Sequence, residues 1–115
     1  MTKDDCIFCQ IASGHIQATV LYQDDDVVAF EDLHPQAPVH FLVIPKKHIA
    51  TLDDVTADDS DLLGKMLFAA TEVAREKGIG ATGYRQVINC RASGGQVVFH
   101  LHLHIMGGRD MGAMG

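Results

Sequence analysis

Apolar and polar positions change period several times along the chain, and each change marks an element. Ile7, Phe8 and Ile11 are spaced as on one face of a short helix that ends near Gly14. Val20 to Tyr22 and Val27 to Phe30 are β-branched and aromatic runs on either side of Asp24-Asp25-Asp26, which predicts a hairpin. Pro35 and Pro38 make Leu33 to Val39 a loop. His40 to Ile44 is short and apolar, a buried strand that Pro45 terminates. Thr56 can cap a helix whose first turn carries Asp58, Asp59 and Asp61 at the positive end of the dipole. Leu62, Leu63, Met66, Leu67, Ala70 and Val73 then recur at helical spacing, with Arg75 and Lys77 in the last turn and Gly78 at the stop. Tyr84 to Asn89 predicts a strand, Arg91 to Gly95 a glycine-rich turn, and Val97 to Met106 a long final strand. The order implies an α+β fold: a mostly antiparallel five-stranded sheet with one short and one long helix.

The final strand holds the chemistry. Three of the chain's seven histidines fall at 100, 102 and 104. Strand alternation puts Phe99, Leu101, Leu103 and Ile105 on the core face and the three imidazoles on the other. A solvated face would more often use Lys, Glu or Thr, and a lone core histidine does not explain three in register. All three cannot hold one metal ion. Same-face neighbours lie about 6.8 Å apart, so His100 and His104 would be about 13 Å apart, whereas a zinc–nitrogen bond spans about 2.0–2.1 Å. Two neighbours could share an ion. Nucleophilic or acid–base chemistry along an elongated anionic substrate fits the row better, because imidazole titrates near neutrality and attacks through one nitrogen while the other orients it.

Composition narrows the classes. The chain has 115 residues, the size of one domain. Nine Lys+Arg against fifteen Asp+Glu give a net charge of −6, which opposes a nucleic-acid scaffold. No apolar run approaches the roughly 20 residues that span a bilayer. Met1 to Asp5 does not resemble a signal peptide, and the expected compartment is the cytoplasm. Three cysteines argue against a disulfide framework. Cys6 and Cys9 form a C-x2-C pair, a spacing that suits either zinc or a redox disulfide. A thioredoxin-like pair would follow a strand, and none is predicted before Cys6. Zinc would require two further ligands, nitrogens or carboxylates. Cys90 has no such partner and is expected to be a small buried hydrophobe.

His100-Leu101-His102-Leu103-His104-Ile105-Met106 resembles the signature of the histidine triad (HIT) superfamily, in which three histidines alternate with apolar residues. Ala29-Phe30-Glu31-Asp32, Pro35-Gln36-Ala37-Pro38, the run from His40 to His48, and Gly94-Gly95-Gln96 resemble its Hint branch, so the likeness covers nearly all of a single domain, 1–115. It implies a homodimeric hydrolase of purine nucleoside phosphoramidates, typified by adenosine 5′-phosphoramidate, acting through a covalent nucleotidyl-histidine. His102 is then the nucleophile, and His104 donates to a phosphate oxygen or assists the departing amine. Asn89 and Gln96 meet the phosphate and leaving group, and Gly95 and Val97 lie beside it. Asp32 binds the ribose hydroxyls, and Ile7, Phe8, Ile11, Ile16, Phe30 and Leu33 form the apolar cleft for the base. His40 supports the histidine row without touching substrate. His15 and His34 are expected at the surface. In relatives that carry the cysteine pair, the positions of His48 and His100 complete a zinc site, which implies a closed structural zinc on Cys6, Cys9, His48 and His100. The resemblance also implies a dimer built on the long helix and the Tyr84 to Asn89 strand.

Two departures bear on activity. Val97 stands where many relatives carry a serine that bonds a phosphate oxygen, and the tail after Met111 is short. Both leave open a dinucleoside polyphosphate hydrolase of the same superfamily, or a nucleotide-binding sensor with little turnover.

Overall fold

The computed structural model describes residues 5–114; residues 1–4 and Gly115, which include most of the stretch read against a signal peptide and the end of the tail, lie outside the described residues. Helix α1 (Ile7–Ala12) precedes strands β1 (Val20–Gln23), β2 (Val27–Glu31) and β3 (Val39–Pro45). Helix α2 (Ser60–Glu76) follows, then strands β4 (Tyr84–Val87) and β5 (Leu103–Gly107). The strands form one antiparallel sheet in the order β1-β2-β3-β5-β4. Among the described residues, five strands, one long helix and one short helix match the expected α+β architecture.

Alternation sorts the sheet into two faces. Val27, Ala29, Phe41, Val43, Leu103 and Ile105 pack with Met66, Ala69, Ala70 and Val73 of α2. Val28, Phe30, Leu42 and Ile44 pack on the other face with Cys6, Phe8 and Ile11 of the α1 region. Asp24 closes the β1–β2 hairpin, its Oδ1 accepting from the N–H groups of Asp26 at 2.7 Å and Val27 at 2.9 Å. The α2 start is a 3-10 turn, Ala57–Asp59, with a reciprocal capping box between Thr56 and Asp59. Buried Asp59 also meets Lys47 Nζ at 2.7 Å, which ties the end of the β3 loop to the helix.

The final strand is shorter than its alternation predicts. It begins at Leu103, not Val97. Leu103 pairs with Val43, so continuing the register by two residues would bring residue 101 opposite Pro45, which has no N–H to give the ladder. Leu101 instead donates to Ile49 O at 2.6 Å. Leu101 still reaches the α2 core, but Phe99, expected there, is 36% exposed. The fourth strand likewise ends at Val87 rather than Asn89, and Cys90 is half-buried rather than buried.

Candidate functional site

β5 and the unpaired segment before it carry the triad onto the α1 face of the sheet. His104 lies directly opposite Leu42 in the register, and His40 is the diagonal neighbour on the same face. His40 Nε2 therefore sits 3.0 Å from His104 Nδ1 and 3.3 Å from Asp32 Oδ2. The His102 and His104 rings meet edge to face at 4.9 Å between centroids.

Backbone partners fix the tautomers, because a carbonyl only accepts and an amide N–H only donates. His102 Nδ1 lies 2.8 Å from His100 O, so the proton is on Nδ1 and the Nε2 lone pair is free. His100 Nε2 lies 2.8 Å from Pro45 O, which leaves its Nδ1 lone pair unprotonated. Gln36 N–H donates to His40 Nδ1 at 2.9 Å, so the His40 proton is on Nε2. That proton points to His104 Nδ1, and the His104 proton is consequently on Nε2. Burial keeps these rings neutral. It lowers His104 to about 4, reinforced by His102 and His40 against the opposing charge of Asp32. Burial also lowers His102 and His40, against the pull of the His100 carbonyl and Asp32 on the former and of Asp32 on the latter.

A cavity of about 460 Å³ opens beside these rings, within the size range of small-molecule sites. Ile7, Phe8, Ile11, Ile16, Phe30 and Leu33 line it, as do Asp32, Asn89, Gly95, Val97, His102 and His104. No Lys or Arg is among the described lining residues, and Glu31 and Asp32 supply carboxylates. Asp32 Oδ1 accepts from the His34 N–H at 2.8 Å, which sets the carboxylate at the mouth of the loop. His15 is exposed; His34 is exposed too, yet it lines the cavity with Gln36. Periodicity could not find these loop residues.

Gln96 departs from the expected contact role. Its amide donates both protons inward, to Ala50 O at 2.8 Å and Val98 O at 3.0 Å, and its Oε1 accepts from Arg91 N–H at 2.8 Å. Gln96 therefore ties the glycine-rich loop shut from behind. Arg91, at φ 59° and ψ −170°, occupies a region close to glycine's own. It is held there by that bond and by its guanidinium on Asp53 and Asp54.

Cys6, Cys9, His48 and His100 converge on one point beneath α1, close enough to hold a metal ion. His100 Nδ1 lies 3.2 Å from Cys6 Sγ, 3.4 Å from Cys9 Sγ and 3.2 Å from His48 Nδ1. The chemistry of the set agrees with the spacing: the His100 lone pair faces inward, and the Cys6 sulfur accepts the Cys9 N–H at 3.2 Å, as metal-bound thiolates do. Asp32, His40 and His104 form a second group with similar spacing. Their protons do not suit a metal, because Nε2 of His40 is already the protonated nitrogen.

A family model described as "Scavenger mRNA decapping enzyme C-term binding" matches residues 5–115. The purine nucleoside phosphoramidase of Escherichia coli is 43% identical over 111 residues, covering 96% of this chain and 93% of that protein. The crystal structure of a HIT family hydrolase from Legionella pneumophila is 52% identical, with a TM-score of 0.92 over 94% of this chain and 96% of that one. A histidine triad protein from Clostridium difficile superposes with a TM-score of 0.95 at 44% identity, each chain fully covered.

Proposed function

The chain belongs to the histidine triad family, and on that premise we propose that it hydrolyses purine nucleoside 5′-phosphoramidates, with residues 1–115 forming one such domain. The observation that carries the reading is the His102 tautomer: Nδ1–H is spent on the His100 carbonyl, and Nε2 keeps its lone pair beside an apolar cavity. The similarity to the Escherichia coli phosphoramidase supports the reaction class.

His102 Nε2 attacks the α-phosphorus and the phosphorus–nitrogen bond breaks, its electron pair leaving with an amine that takes up a proton. Water then attacks the phosphorus of the nucleotidyl-histidine and gives up a proton to solvent, the phosphorus–Nε2 bond breaks with its electron pair returning to His102, and AMP is released. His104 Nε2–H donates to a non-bridging oxygen or to the departing amine, and Asn89 stands beside the phosphate as a neutral donor. Asp32 accepts from the ribose hydroxyls. The absence of Lys and Arg from the described cavity lining favours a single phosphate over a dinucleoside polyphosphate.

Zinc fits the four converging donors, for Cys2His2 completes a tetrahedral ion and leaves no position for water. When bound it would supply structure, holding α1 to the sheet. A reducing cytoplasm suits such thiolate ligands. None of the three cysteines is in a disulfide, and among the described residues no helix is long and apolar enough to cross a membrane. A homodimer is supported by β4 at the sheet edge and by Leu67 and Phe68, 48% and 64% exposed on α2; sedimentation showing only monomer would remove it.

The deciding experiment follows AMP release from adenosine 5′-phosphoramidate. Wild type no faster than His102→Gly would overturn the hydrolase. Tight AMP binding by calorimetry without cleavage would instead favour the sensor, a reading that Val97 in the cavity wall supports.

A further inference from the structure

We infer that the Cys6/Cys9/His48/His100 cluster is a working part of the nucleotide site, so that metal occupancy sets nucleotide affinity and the aim of His102. The inference rests on the metal reading above and adds a coupling to it.

Two arms run from the one cluster. The first is α1. Six residues are too few to hold a helix in water, where about 12–15 are needed. Its N-cap is Cys6 and its first turn carries Cys9, so the cluster anchors it at the end where the chain enters. Phe8 lies between the two cysteines. Its ring stands edge-on to His102 at 5.1 Å and to Phe30 at 5.6 Å, and with Ile7 and Ile11 it forms a wall of the cavity. A cluster that lets go of Cys6 and Cys9 lets go of this wall.

The second arm is His100 itself. Its ring belongs to the cluster, while its carbonyl takes the His102 Nδ1 proton at 2.8 Å. Residues 98–102 have no ladder partner, so the peptide at His100 is held by its ring contacts and by the neighbouring Leu101 bond to Ile49. Without the cluster, that peptide is left with the Pro45 and Leu101 bonds alone, and the carbonyl that specifies the His102 tautomer loses a restraint.

Coupling between two sites is reciprocal. Zinc-loaded protein and protein stripped by chelator in reductant should therefore differ about tenfold or more in AMP affinity by calorimetry, and saturating AMP should tighten zinc by the same factor. Ring nitrogen NMR should show His102 as the Nδ1–H form when loaded and as mixed tautomers when stripped. Phe8→Leu keeps all four donors; in that variant the coupling factor should shrink severalfold, which a metal needed only for folding would not produce. Unchanged AMP affinity and tautomer after stripping overturns the coupling and leaves the metal reading standing, and an undiminished factor in Phe8→Leu overturns its α1 arm. Protein that binds no zinc overturns both.

Discussion

His40 Nε2 lies 3.0 Å from His104 Nδ1, and the Gln36 N–H closes the far side of the His40 ring at 2.9 Å. A loop amide thus sets the proton position of a ring two side chains away, so that His104 meets the cavity as a donor. Replacing His40 should act on turnover rather than on binding. His40→Phe is expected to lower kcat by about 10- to 100-fold with AMP affinity within about threefold of wild type. His40→Gln, whose amide can still donate to His104, should recover part of that loss. Equal losses in the two variants would mean that His40 only fills space.

The depressed His104 titration has a consequence for stability. Its folded value is about 4 against 6.5 for the ordinary ring, so between those values the unfolded chain binds the extra proton. Stability is therefore full above the ordinary histidine range and falls as pH drops through that window. His104→Gln removes the group, so Tm against pH should be less steep in the variant than in wild type across the same interval. Parallel curves would show that the burial of this ring carries no such linkage.

Asp32 divides its oxygens between two tasks. Oδ1 accepts from the His34 N–H and Oδ2 faces His40. Asp32→Asn keeps an oxygen for the loop amide but gives up the charge that would accept from vicinal hydroxyls. A hydrogen bond to a charged group is worth about 1.5–3 kcal/mol, so AMP should bind roughly 10- to 100-fold more weakly. Affinity for 2′-deoxy-AMP should fall less. Equal weakening for both nucleotides would remove the ribose role.

How much of this was legible in the sequence depends on which residue is asked. Ile7, Phe8 and Ile11 line the cavity because an apolar helix face beside a sheet has few other places to go. The break before Leu103 was hidden, since it arises from where Pro45 falls in a register set by tertiary pairing. Alternation through residue 97 was a true local pattern without a partner strand to realise it. Gln96 shows the same limit at the site. Its residue type suits a phosphate, but loop closure turns its amide to Ala50 and Val98. His34 and Gln36 reach the cavity from a loop whose path no period encodes.

Val97 provides the last test, because it joins the cavity wall without burial in the core. The residue is 85% exposed, so replacement should leave folding nearly untouched. Val97→Ser adds a hydroxyl to the wall of the cavity that Gly95, His102 and His104 also line. If a non-bridging phosphate oxygen gains charge there in the transition state, the added donor stabilises that state more than the ground state. With about 1.5–3 kcal/mol for a bond to a charged oxygen, kcat/KM on adenosine 5′-phosphoramidate should rise, by roughly tenfold at the lower end. Val97→Thr, branched like valine but carrying a hydroxyl, should rise in the same direction. A rise in both variants at unchanged Tm would trace the gain to the hydroxyl rather than to a change in packing. Unchanged rates in both would mean that residue 97 does not face the reacting phosphate, and that the apolar wall has no cost to turnover.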